Sequence, residues 1–376
     1  MGFRVSAIAA LIALFLVGTA APSRGEEQAP GPAALFAAND PASTITLDHS
    51  PWTSLLQRSV LVVGRSRERL GSDQQRTFIE SHITFGNSSP SRFEGNRVFL
   101  HIYDKDVKLF LAAYQNGLQE VASRVSLALL SRDEQLAFWL NLYNVTVMRG
   151  LSAIYPVSRL QNFRLGSKKF GNFWSEKQLT VEGVRLSLND IEDILIENWR
   201  DPLVLYGLWQ GAIGSPSLPS EAFTAKNVYA LLRTSAVEFV NSNRGFRAGT
   251  STLNVSLIYQ WGRAAFADGQ ALLAHLRSLA EPPFDAGLGN ASAVKYGLFD
   301  WNIADVMGGQ LHSGRTNSFS AFIGSLSRDF GDTMKDVDGR QGIPPQMRQL
   351  MQGVVQYNIL PERNPTVTVI ECPPGT

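Results

Sequence analysis

Ser131–Gly150 reads SRDEQLAFWLNLYNVTVMRG, and this stretch decides the fold. Ser131 followed three residues later by Glu134 is a capping-box pair, in which each side chain takes an orphan backbone donor at a helix start. Leu136, Leu140, Tyr143 and Val147 recur at helical spacing, and Phe138 and Trp139 widen the apolar arc. A helix this apolar is buried on several sides. Asn141 and Asn144 are three apart, hence neighbours on its surface. A buried amide must find hydrogen-bond partners. The two asparagines are therefore expected either to tie down neighbouring backbone or to line a polar pocket.

Upstream, Asp48-His49-Ser50 precedes apolar residues at helical spacing and predicts a helix over Pro51–Val60. Arg65–Arg69 reads as a charged surface, Asn87–Asn96 as a loop, Arg97–Tyr103 as a strand and Asp106–Glu120 as a helix. Downstream, Gln178–Leu186 alternates around Gly183 like a hairpin. Asn189 is expected to cap a helix over Asp190–Trp199, with Glu192 as a supporting acid. Pro202–Leu208 reads as a strand entering a Gly-rich turn, Gly211–Pro219. Helices are expected at Phe223–Asn241, Ile258–Phe266 and Gln270–Leu279, a strand at Leu253–Leu257, and a stop at Pro282-Pro283. Beyond Asp305 the composition turns to Gly, Ser, Arg and Asp. A helix at Gln346–Gln356 and a terminal strand at Thr366–Glu371 are the expectations there.

Of 376 residues, 44% are hydrophobic and 10% aromatic, enough for a sizeable core and unlike a disordered chain. A formal net charge of +1 argues against a broad electrostatic attraction to nucleic acid or anionic membrane. Met1–Gly25 reads as a secretory signal: Arg4, the apolar run Val5–Val17, then small residues with cleavage after Ala20 or Gly25. The apolar run is short for a spanning helix, so a periplasmic or secreted protein with no integral span after cleavage is expected; the alternative is an uncleaved membrane anchor. The one cysteine, Cys372, excludes an intramolecular disulfide and a cysteine-ligated metal cluster. Asn87, Asn144, Asn254 and Asn290 sit in glycosylation sequons that matter only in a eukaryotic secretory host.

Several motifs stand in a fixed order: Leu47–Ser50 (LDHS), Ala137–Asn144 (AFWLNLYN), Leu186–Glu192 (LSLNDIE), Gly214–Thr224 (GSPSLPSEAFT) and Phe299-Asp300-Trp301. Together they resemble the Domain of Unknown Function 547 family over about Thr46–Asn302. The resemblance implies no settled activity. It also exposes departures. Members often carry Gly-Cys-Pro where this chain has Gly214-Ser215-Pro216, and an Asn-Cys pair where it has Trp209-Gln210. The usual Tyr-Asp-Trp-Ser-Leu-Asn end keeps only its Asp-Trp here. The expected architecture is α+β: a mainly helical single large domain with a small β-sheet, plus a C-terminal extension. Its parts are a signal peptide (1–25), a flexible N-terminus (26–45), the family-like domain (46–305) and the extension (306–376).

Two functional readings follow. In the first, the protein is a non-catalytic binding or scaffold module for a small polar ligand or a protein partner, with Asn141, Asn144, Glu192 and Asp300 as pocket candidates. In the second it is a hydrolase or acyltransferase with Ser215 as nucleophile, His49 as base, and Asp300 or Glu192 orienting the histidine. A GxSxG elbow is absent, and Pro216 has no N–H to offer an oxyanion. The five histidines are scattered without metal-ligand spacing, and no metal or cofactor is expected.

Overall fold

A computed structural model describes residues 31–63, 91, 94–249, 251–289, 291–306, 308–309 and 367–371. The expected signal segment Met1–Gly25, Arg65–Arg69, Gln346–Gln356, Cys372, Asn87 and Asn290 lie outside them. In chain order the elements are α1 (Pro32–Leu35), β1 (Ile45–Leu47), α2 (Ser50–Ser59), β2 (Val60–Leu61), β3 (Arg97–Val98), α3 (Lys105–Arg124) and α4 (Arg132–Ile154). There follow α5 (Gln161–Arg164), β4 (Leu179–Val181), β5 (Val184–Leu186), α6 (Leu188–Trp199), α7 (Val228–Val240), β6 (Phe246–Ala248) and β7 (Thr252–Ser256). The chain continues through α8 (Ile258–Trp261), α9 (Gly269–Leu279), β8 (Ala293–Leu298) and β9 (Val369–Glu371). The class is α+β and mainly helical.

Helix α4 is the axis. Every residue from Glu134 to Met148 is buried, because α3, α6, α7 and β1 all pack against it. Its N-terminus departs from the expected capping box. Ser131 Oγ does accept from Glu134 N at 3.3 Å. The Glu134 carboxylate does not return the bond; it accepts from Leu47 N at 2.7 Å instead, which pins β1 to the start of the central helix. The reciprocal box belongs to α6, where Ser187 and Asp190 satisfy each other's backbone donors. Ser187, not Asn189, is therefore the cap.

Four further expectations shift, each through a particular hydrogen bond or a close contact. Pro202–Leu208 is not a strand but a 3-10 turn over Pro202–Gly207. Asp201 there accepts from Leu203 N at 2.9 Å, and Pro202 has no N–H for a ladder. The strand expected over Arg97–Tyr103 ends at Val98, and Leu100–Ile102 coils as Leu100 N donates to Asp305 Oδ1 at 3.0 Å. Helix α7 starts at Val228 rather than Phe223, since Asn141 binds the backbone of Phe223 and Asn227 takes Thr224 N. The helix expected over Ile258–Phe266 breaks at Gly262, which lies against Leu205 too closely for any side chain.

The strands form separate small sheets, three of two strands and one of three among the described residues. In the largest, β7 pairs antiparallel with β6 and parallel with β8, with an irregularity between Val255 and Ser256. β9 pairs antiparallel with β1, Ile45 opposite Glu371. After β8 the chain runs as an extended strap over residues 299–306. It is bonded on several sides: Leu160 N to Trp301 O, Ile213 N to Asn302 O, Gly214 N to Asp300 O and Val98 N to Ala304 O, each at 2.8 Å.

Candidate functional site

The two asparagines of α4 use their amides on backbone. Asn141 donates to Phe223 O at 2.7 Å and accepts from Phe223 N at 3.1 Å. Asn144 donates to Gly207 O at 3.0 Å and accepts from Trp209 N at 3.2 Å. Each thus replaces a strand partner for a segment that has no ladder of its own. Tyr143, on the same helix, donates to Glu192 Oε1 at 2.7 Å and accepts from Trp174 Nε1 at 3.2 Å. Glu192 also receives Arg164, 3.1 Å away, whose guanidinium lies 4.9 Å and 4.7 Å from the rings of Trp174 and Trp261. The LSLNDIE and FWLNLYN motifs therefore meet in one buried polar network, with Glu192 as its anion.

Ser215 and His49 sit in different networks, and no hydrogen bond joins them. Ser215 is 1% exposed, and its hydroxyl donates to Ala212 O at 2.7 Å. Its carbonyl accepts from Arg244 Nη1 at 3.0 Å. The turn is tight because Gly214 faces the strap, where a Cβ would collide with the backbone of Asp300. His49 is buried, with Nδ1 2.7 Å from Tyr114 OH and Nε2 unpartnered. Burial without a carboxylate partner drives its pKa down to about 4, with the charge of Asp48 opposing. Of the six residues singled out from sequence, the strap brings Asp300 beside the Ser215 turn; Asn141, Asn144, Glu192 and His49 lie in the networks described above.

Asp300 instead lines a cavity of about 340 Å³ at the end of β8, together with Arg159, Asn243, Arg244, Arg247 and Asn302. Phe299 and Trp301 supply apolar wall, their rings tilted at 50° with centroids 4.4 Å apart. Behind the cavity stands a buried charge cluster. Arg244 pairs with Glu238 and lies 3.9 Å from Glu94, with Nε 3.3 Å from Ser242 Oγ. Glu94 accepts from Asn243 N and Nδ2 at 3.0 and 2.7 Å. Burial raises the Glu94 pKa, against the pull of Arg244. Burial, then repulsion from Arg244, brings Arg97 down to about 10. Within this cluster Arg97 and Arg244 equal Glu94 and Glu238 in number of charges, and Asp300, from the wall, also attracts Arg97. On the wall itself, Arg159, Arg247 and Asp300 have no ion-pair partner among the described residues. Arg247 Nε and Asp300 Oδ2 are buried and without a hydrogen-bond partner.

Residues 127–240 match the sequence model of a family described as "Protein of unknown function, DUF547". The chain carries a DUF547 region. No curated protein and no solved structure matches it. The matched region contributes α4, α6, the Ser215 turn and α7; of these, Ser215 O and Glu238 hold Arg244 at the back of the cavity. Most of the cavity wall, including Asn243, Arg244, Arg247 and the strap, comes from beyond residue 240, while Arg159 lies within the matched region and Ser91 before it. Sequence reasoning missed these arginines. The signal available was Asn241–Arg247 (NSNRGFR), a polar and Gly-bearing run with two arginines three apart, directly after an apolar helix.

Proposed function

We propose that the protein is an exported, non-catalytic binding module that holds a small polar ligand in the cavity between Arg247 and Asp300. The carrying observation is the meeting of charges without ion-pair partners at a cavity of ligand size, about 340 Å³. Arg159 is exposed and Arg247 and Asp300 are half-buried, but Arg247 Nε and Asp300 Oδ2 are themselves buried without a hydrogen-bond partner. A buried polar atom left unpaired is costly, so these two atoms call for a partner from outside. Export is supported by Arg4 and the apolar run Val5–Val17. No helix among the described residues is long and apolar enough to cross a membrane. Against nucleophilic catalysis, the Ser215 hydroxyl is buried, spends its proton on a carbonyl and has no histidine hydrogen-bonded to it among the described residues.

Gly297 gives the test. It lines the cavity, and a Cβ there meets nothing within 4 Å. Gly297→Trp therefore fills space at the wall without moving backbone. Thermal unfolding is measured with a panel of small polar metabolites. A ligand at a hundred times its Kd adds about 2.7 kcal/mol to the stability of the wild type, and none to Gly297→Trp, whose own melting point stays unchanged. Equal stabilisation of both proteins would place the ligand elsewhere. Fluorophosphonate labelling is expected to be the same in wild type and Ser215→Ala; loss of label in the variant would reinstate Ser215 as a nucleophile.

A further inference from the structure

Resting on the proposed binding site, we infer that its ligand is an acidic amino carboxylate: a small molecule with two carboxylates and one ammonium. The cavity wall carries two guanidinium groups, Arg159 and Arg247, and one carboxylate, Asp300, none with an ion-pair partner among the described residues. The third guanidinium, Arg244, is held by Glu238, Ser215 O and Ser242 and is balanced within its buried cluster. The wall thus presents two cations and one anion to whatever enters. A simple anion such as phosphate would satisfy the arginines and be repelled by Asp300. A simple cation would satisfy Asp300 and be repelled twice. A ligand with the inverse pattern satisfies all three.

The geometry of the groups fits carboxylates on the basic side. Guanidinium offers a planar fork of donors that matches a carboxylate. Arg247 is set on β6 with its Nε buried and unpartnered, so a bound carboxylate supplies the missing acceptor. On the acidic side, one oxygen of Asp300 is already used: Oδ1 accepts from Asn302 N at 3.0 Å and from Asn302 Nδ2 at 2.7 Å. Oδ2 has no donor. An ammonium brings both the donor and the opposite charge. Phe299 and Trp301 leave an apolar face for the methylene stem between the charges.

The test is isothermal titration calorimetry on the folded full chain with three probes of similar length. Glutamate has the full pattern, glutarate lacks the ammonium, and 4-aminobutyrate lacks one carboxylate. The wild type is expected to bind glutamate at least tenfold more tightly than either of the others. Asp300→Asn, which keeps an acceptor for Asn302, is expected to bring glutamate and glutarate to within threefold of each other. Arg247→Gln is expected to bring glutamate and 4-aminobutyrate together. If the variants do not fold, the order of the three ligands on the wild type still decides. Glutarate binding as tightly as glutamate overturns the inference. If none of the three binds while another small molecule stabilises the wild type and not Gly297→Trp, the ligand class falls and the site stands. If nothing in the panel acts at the cavity, both fall.

Discussion

Replacing Asn141 with leucine separates an asparagine that fastens backbone from one that touches a ligand. The side chains are similar in size, so the change is chiefly one of hydrogen bonding. Asn141 is fully buried and serves both backbone groups of Phe223. Leucine leaves that N–H and that C=O without partners in a dry interior. Each orphan costs about 1–3 kcal/mol, so the pair costs about 2–6 kcal/mol. Burying a leucine in place of an amide returns about 2 kcal/mol of that. The expected net loss is about 2 kcal/mol, read as a lower urea midpoint by tryptophan fluorescence with an unchanged slope. The folded fraction should keep its ligand response, because Asn141 does not line the cavity. A loss below about 1 kcal/mol together with an abolished ligand response would refute the reasoning. Asn141→Asp sharpens it. A protonated carboxyl can still donate to Phe223 O, an ionised one cannot. The deficit relative to wild type should therefore grow as pH rises above the ordinary aspartate value of about 3.9.

Three other outcomes are expected. His49 is held neutral in the fold and titrates near 4 against an ordinary 6.5; the unfolded chain takes the proton first, so stability is full above about pH 6.5 and is lost as pH falls toward 4. That window is worth about 3 kcal/mol, and His49→Gln should flatten the wild-type slope between pH 7.5 and 5; an unchanged slope assigns it to other groups, His275 among them, whose pKa burial also lowers to about 4. Glu192→Gln leaves Arg164 charged between Trp174 and Trp261 and should cost about 2–4 kcal/mol by urea unfolding, with part recovered in Glu192→Gln/Arg164→Met; a double variant no more stable than the single would show that the charge is not the cause. Ser187→Ala should lower stability by about 1 kcal/mol and Asn189→Ala by under about 0.5 kcal/mol, and the reverse order would return the cap to Asn189.

The helices were legible because their information is local. The spacing of Leu136, Leu140, Tyr143 and Val147 carries its own period, and α4 runs where that period runs. Helix starts were less legible, because a cap is chosen by competition. Glu134 looked committed to Ser131, yet Leu47 N, 87 residues away in sequence, takes its carboxylate. Val204, Leu205 and Tyr206 favour a strand by type, and Asp201 with Pro202 overrides them. The site was least legible. Ser215 drew attention by its departure from the family pattern, whereas its neighbours in space, Arg244 and Asp300, lie 29 and 85 residues on. Nothing periodic connects them. Only the strap, by bonding Gly214 N to Asp300 O at 2.8 Å, brings the turn and the cavity wall together.

That strap sets a limit on how the chain can be divided. Its backbone closes three open edges at once, at Val98, at Ser158–Leu160 and at Gly211–Gly214. A fragment cut to the matched region, 127–240, would retain two of those edges as rows of unpaired N–H and C=O groups and none of the residues that cover them. Such a piece would invite other strands, including those of its own copies, into the vacated place. During synthesis the same order holds: the long apolar helix emerges first, and the segment that seals its surroundings arrives about 150 residues later. The late-made strap is thus what turns a sticky helical half into a closed molecule with a cavity of its own.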